Sequence, residues 1–207
     1  MPGCPLHGPV GIQGNTYLAG PPMHCAMSGA LGKAGTVFVV IDMQDTLLRK
    51  CHDWETVMDR CVVFSKFCHV VDMPIVATEQ YPRGLGRTNL EVAEASGADL
   101  IPKTTFDCFG EPAFREAVEA HGPDTLVLAG IEAHVCILQT ALHALELGHR
   151  VHVLADAVSS RAAWMAENGL ARLANAGVTV SNTESAMFEV VGDSADPLFK
   201  RMLFLVK

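Results

Sequence analysis

The chain has 207 residues, of which 49% are hydrophobic and 18% charged. That composition excludes intrinsic disorder over most of the length and suits one ordinary domain with a full core. Lys and Arg number 15 against 23 Asp and Glu, a formal net charge of −8, which argues against nucleic acid as a partner because phosphates need a basic face.

Residues 1–35 are rich in Gly, Pro and small side chains, lack Asp and Glu, and carry Lys33 as their one Lys or Arg. A secretory signal needs a basic start and a continuous apolar stretch, and a mitochondrial transit peptide is Arg-rich. The segment has none of these features and reads as a flexible leader, with the folded domain over 36–207. Thr36–Asp42 (TVFVVID) is a continuous apolar run, the pattern of a strand buried on both faces. Trp54–Val71 is helical, with apolar Val57, Met58, Cys61, Val62, Phe64, Phe67, Cys68 and Val71 on one side. Pro74 breaks it, and Ile75–Thr78 is the second strand. Residues 81–98 are loop-like, with Pro82, Gly84 and Gly86. Leu100–Lys103 reads as a short strand and Pro112–His121 as a short helix. Thr125–Gly130 is another buried strand, and His134–Leu147 a helix stopped by Gly148. Val151–Ala155 is a strand, Ala162–Ala176 a helix ended by Gly177, and Val178–Ser181 a last strand. The tail, 186–207, carries apolar clusters that finish the core or meet another subunit.

Such alternation implies right-handed βαβ crossovers. The expected fold is α/β: a three-layer α/β/α sandwich on a mainly parallel, doubly wound sheet. No apolar run approaches the roughly 18–20 residues of a membrane-spanning helix, so no membrane partner is expected.

The seven cysteines, at 4, 25, 51, 61, 68, 108 and 136, include no Cys-x-x-Cys pair. A structural zinc site or redox dithiol is therefore not expected. Cys61 and Cys68 read as small buried hydrophobes in a reducing compartment, with the cytoplasm the first expectation and the mitochondrion left open. Ligands bind such sheets at the carboxyl ends of the strands. Asp42 ends the first strand there, Lys103 follows Leu100-Ile101-Pro102, and Cys136 lies in the first turn after the strand ending at Gly130. A helix start and a nearby ammonium both lower a thiol pKa. A carboxylate can take the thiol proton and return it to a leaving group, and free N–H groups can hold an oxyanion. These parts suffice for acyl transfer or carbon–nitrogen hydrolysis without a metal. Taken singly, each residue has a plain structural role open to it: a turn Asp, a solvated Lys, a core Cys.

The stretches Val40-Ile41-Asp42-Met43-Gln44, Pro102-Lys103-Thr104 and Gly130-Ile131-Glu132-Ala133-His134-Val135-Cys136 resemble the isochorismatase-like cysteine hydrolases. Thr78-Glu79-Gln80-Tyr81-Pro82 and Ala155-Asp156-Ala157-Val158-Ser159-Ser160-Arg161 bring the resemblance closer to the isochorismatase domain-containing branch. The resemblance implies Asp42 as general acid/base, Lys103 as the group that holds the thiolate, and Cys136 as nucleophile. It further implies a cis Ile131–Glu132 peptide that sets the Glu132 N–H beside that of Cys136 as an oxyanion hole. Gln44 and Phe109 are expected on the pocket wall, and the chain is expected to form a homo-oligomer. Nicotinamidases of the family carry a metal-binding Asp-x-His-x-x-x-His after the second strand. Thr78–Gly84 has no histidine, so no metal or other cofactor is expected. The expected activity is hydrolysis of a small amide-like or acyl molecule. The alternatives are vinyl-ether hydrolysis, which does not need the thiol, and a catalytically silent binding protein with the same fold. A Gly-x-Ser-x-Gly elbow and a His-Glu-x-x-His motif are both missing.

Overall fold

A computed structural model describes residues 30–206. The strands are β1 (Thr36–Ile41), β2 (Ile75–Gln80), β3 (Leu100–Lys103), β4 (Thr125–Ile131), β5 (Arg150–Ser159) and β6 (Thr179–Ser181). They form one sheet in the order β3-β2-β1-β4-β5-β6, with every pairing parallel. The helices are α1 (Asp45–Leu48), α2 (Trp54–Val71), α3 (Pro82–Leu85), α4 (Leu90–Ser96), α5 (Pro112–Glu119), α6 (Leu138–Glu146), α7 (Ala163–Asn175), α8 (Thr183–Val191) and α9 (Pro197–Leu203).

The sheet separates two cores, and β1 shows why its sequence is apolar throughout. Phe38 and Val40 face α2, α4, α8 and α9, with Phe38 edge-on to Phe64 at 4.8 Å. Val37, Val39 and Ile41 face the opposite core, built on Phe114 of α5, Leu138 and Ala141 of α6 and Leu173 of α7. A strand covered on both sides has no polar face to alternate with. Pro102, which lacks an N–H to donate, sits in β3 at the sheet edge, where that absence is tolerated.

From β1 the chain moves out to β2 and β3, then returns to place β4 on the other side of β1. This reversal opens a crevice at the carboxyl ends of β1 and β4, the usual ligand position in such sheets. Gly130 is required there. Its φ is +119°, and a Cβ on it would lie 2.0 Å from the Ile41 carbonyl oxygen.

Four stretches differ from the sequence expectation. The stretch 81–98 holds α3 and α4, the latter capped by Asn89, whose Oδ1 accepts from the Glu91 and Val92 N–H groups at 3.0 and 3.4 Å. The helix expected from His134 begins as a π-turn over Ala133–Ile137. Strand β5 runs on past Ala155, so that Ser159 pairs with Ile131. Asp156, the polar residue that hides this continuation, caps α8 by accepting from Thr183 N at 2.8 Å and Thr183 Oγ1 at 2.9 Å. The tail forms α8 and α9, and Ala186, Met187, Val191 and Met202 complete a core, while Phe204 stays exposed.

Packing starts slightly before Gly35. Leu31 is buried, and its N–H donates to Glu189 Oε2 at 2.9 Å. The rest of the expected leader, with Cys4 and Cys25, lies outside the described residues. No helix among the described residues is long and apolar enough to cross a membrane.

Candidate active site

The ends of β1, β3 and β4 bring Asp42, Lys103 and Cys136 into one buried cluster. Asp42 follows β1 with φ +55°, a left-handed conformation that Asp tolerates better than most residues. Its Oδ1 accepts from Thr78 Oγ1 at 2.8 Å and its Oδ2 from Lys103 Nζ at 2.6 Å. The Lys103 ammonium also donates to Gln80 Oε1 at 2.6 Å and to the Thr105 carbonyl at 3.2 Å. Its three N–H donors are thus matched by three oxygens, as a buried ammonium requires. Cys136 Sγ lies 3.8 Å from the same Nζ. The cysteine sits in the π-turn, a distortion often found where a helix serves a site.

The turn is set by the residues just before it. The Ile131–Glu132 peptide is cis, as the resemblance implies. The Glu132 carbonyl accepts from Val135 N and Ile137 N at 3.0 and 3.3 Å. Its carboxylate meets Arg161 Nε at 2.9 Å, and His134 Nδ1 is 2.9 Å from Ser160 Oγ. From the other side, α7 presses its buried Gly169 on the turn. A Cβ there would come within 3.0 Å of the Ala133 carbonyl and the His134 nitrogen.

Electrostatics gives the thiol a character the sequence did not suggest. The expectation was a depressed pKa, and the structure corrects it. Burial pushes the Cys136 thiol well above the ordinary 9.0, the Asp42 charge pushes the same way, and Lys103 opposes them. The reason is that Lys103 is already matched by Asp42. A thiolate would add a second, uncompensated negative charge in a dry site. Burial also works against the Lys103 ammonium, but Asp42, Cys108 and Cys136 more than offset it and leave its pKa raised.

Asp42 and Cys136 open on a cavity of about 350 Å³, bounded also by Leu47, Gln80, Phe106 and Val135. The volume suits a small molecule. Gln44 and Phe109, expected on this wall, are placed elsewhere. Gln44 is fully buried and spends its amide on backbone: Nε2 donates to the Gln80 and Gly86 carbonyls at 2.9 and 2.7 Å, and Oε1 accepts from Gln80 N at 2.8 Å. Phe109 packs edge-on against Phe114 at 5.1 Å and bounds a separate depression with Val118 and Leu147. Phe106, three positions earlier, takes the wall instead. Thr78, Gln80 and Arg161 are further site residues. All three stand in the stretches that carry the family resemblance, but no local pattern assigns them a place at the site. Among the described residues, no three His, Cys, Asp or Glu side chains converge as a metal-ligand set.

Residues 36–185 match the family described as the isochorismatase domain. Isochorismatase domain-containing protein 1 of Salmo salar is 36% identical over 180 residues, which cover 86% of this chain and 63% of that protein. The chain therefore spans less than two thirds of that relative. Isochorismatase domain-containing protein 2 of Danio rerio is 34% identical over 174 residues, covering 84% of this chain and 88% of that protein. The solved structure of MAR1 ribonuclease from Caenorhabditis elegans superposes with a TM-score of 0.80 at 29% identity, covering 86% of this chain and 92% of that one.

Proposed function

Since the chain belongs to the isochorismatase family, we propose that it is a metal-independent hydrolase that opens a small amide-like or acyl substrate with Cys136 as nucleophile, Asp42 as proton carrier and Lys103 as the group that fixes both. The supporting observation is the buried contact of Lys103 with Asp42 at 2.6 Å and with Cys136 at 3.8 Å, on the wall of a molecule-sized cavity.

The resting thiol is protonated, so attack and proton loss go together. As the sulfur approaches the carbonyl carbon, Asp42 takes the thiol proton. The carbonyl oxygen gains charge and meets the N–H groups of Glu132 and Cys136. Asp42 then gives its proton to the departing nitrogen, which leaves as ammonia or an amine, and an acyl thioester remains on Cys136. Asp42 next takes a proton from water, the hydroxyl attacks the thioester, the C–S bond breaks, and Asp42 returns the proton to the sulfur as the acid leaves. Throughout, Lys103 holds the carboxylate in place through the bond to Oδ2.

The acidic balance of the chain favours a small molecule over nucleic acid, so the ribonuclease activity in the name of the C. elegans protein is not carried over. We also read the chain as a homo-oligomer of a reducing compartment. Its described cysteines are free thiols, and Trp164 and Phe204 are exposed. A monomer by light scattering at micromolar concentration would end the first of these readings. The activity is tested by ammonia release from a panel of small primary amides. Wild type should release ammonia, and Cys136→Ala should not, at an unchanged circular dichroism spectrum. Ammonia release retained in Cys136→Ala would overturn Cys136 as nucleophile. The vinyl-ether alternative instead predicts no ammonia from either protein and cleavage of an enol ether by both.

A further inference from the structure

The charged groups around the cavity fall into two matched pairs and one remainder. Asp42 is matched by Lys103 at 2.6 Å, and Glu132 by Arg161 at 2.9 Å. Lys50 also bounds the cavity and is exposed, and among the described residues it makes no ion pair. The adjacent Arg49 is engaged, by contrast, with Asp45 at 3.4 Å and with the Trp54 ring at 4.8 Å. Lys50 is held at the carboxyl edge of the sheet by the turn after α1, where its N–H donates to the Leu47 carbonyl at 3.1 Å. The remaining wall is largely apolar, with Leu47, Leu85, Phe106, Ile131 and Val135.

Resting on the hydrolase reading above, we infer that the substrate is a small amide whose short apolar chain ends in a carboxylate, and that Lys50 is the specificity-determining residue that receives it. Lys50 is exposed at the mouth, so its pull on an anion is modest and screened by salt, while the apolar wall below it offers no competing charge. The surplus is one positive charge. A monoanion cancels it, a neutral amide leaves it unused, and a dianion or polyanion reverses it. The apolar wall accounts for the chain between the two ends, with the amide at Cys136 and the carboxylate at the mouth. Arg161 does not compete for the anion, because Glu132 already holds it.

The test is binding to the full chain carrying Cys136→Ser, read by ligand-observed NMR at low salt. The probes are succinamate, glutaramate and adipamate against butanamide, pentanamide and hexanamide, so that chain length brackets the span to Lys50. The best carboxylate should bind about five- to tenfold tighter than its uncharged counterpart, and the gap should narrow with added salt. Lys50→Met should close the gap, and Lys50→Glu should invert it, both at an unchanged melting temperature. Equal binding of the two series, a preference that survives Lys50→Met, or no binding in either series would overturn the inference. The hydrolase reading fails separately, on turnover by Cys136→Ala, since this binding needs no reaction.

Discussion

Cys61 in α2 and Cys136 after β4 are both buried, and burial pushes both thiols up, Cys61 to about 12. Their surroundings differ in kind. Cys61 lies among Phe64, Phe67 and Cys68 in a hydrocarbon core. Cys136 faces a carboxylate and an ammonium on a cavity wall. A suppressed thiol is not thereby an inert one. What separates a nucleophile from a core residue here is a base within reach, together with an opening for substrate.

Replacing each cysteine with alanine should separate the two sites most strongly. Cys136→Ala should cost turnover on the order of 10³-fold or more with little change in stability. Cys61→Ala should leave turnover intact and cost stability by about 1 kcal/mol. Ammonia release and urea unfolding on both variants read the two effects. Equal turnover loss in the two would erase the distinction.

What the regions share predicts alkaline lability. Cys61 and Cys108 are fully enclosed and pushed up to about 12. Unfolding returns them to the ordinary 9.0, so above that pH the unfolded chain has lost protons that the folded chain still holds. Stability must then fall as pH rises, by about 1.4 kcal/mol per pH unit for each thiol. The loss should begin near pH 9 and continue toward pH 12. Urea midpoints at neutral and alkaline pH, under reductant, should show it, and Cys61→Ala should lessen the slope by one thiol's share while Cys108 keeps the rest. A midpoint unchanged across this window contradicts the burial account.

A smaller effect is expected at Gly169. Ala is the better helix former by about 1 kcal/mol, yet its methyl group presses on the Ala133 carbonyl. Crowding of this kind costs about 1–3 kcal/mol. Gly169→Ala should therefore be neutral to mildly destabilising, but it should lower kcat by about tenfold or more by displacing the turn that carries the thiol. Full kcat would show that the turn absorbs the methyl group without moving Cys136.

Much of this arrangement was legible in the sequence because it follows from strands. The unbroken apolar runs at Thr36 and Thr125 mark central strands, and Asp42 and Cys136 are placed by the ends of those runs. Lys103 follows from its position after Pro102. The rest depends on neighbours distant in sequence. Thr78 and Gln80 reach Asp42 and Lys103 because β2 lies between β1 and β3, a fact of sheet order that no local pattern carries. Phe106 lies in a loop and Phe109 in the short 3-10 turn Cys108–Gly110 that follows, a stretch too short to show a period, so nothing in the sequence says which turns toward the cavity. Gln44 gives no sign that backbone carbonyls will take up its amide. The thiol's raised pKa is hidden for a related reason: the sequence shows an ammonium near the sulfur but not that Asp42 already matches it. The helices α8 and α9 did carry readable signals in Asn182 and in Asp196-Pro197, each at a helix start.

Asp42, not a resting thiolate, makes Cys136 useful, and the pH dependence of iodoacetamide labelling at Cys136, read by peptide mass spectrometry in wild type and Asp42→Asn, decides it. Asn suits the left-handed backbone at this position. Wild-type labelling should rise only above the ordinary thiol value of 9.0. In Asp42→Asn the midpoint should move down, because Lys103 is left to face the sulfur, while ammonia release is lost. A wild-type midpoint well below that value, or an Asp42→Asn protein that keeps its turnover, would contradict it.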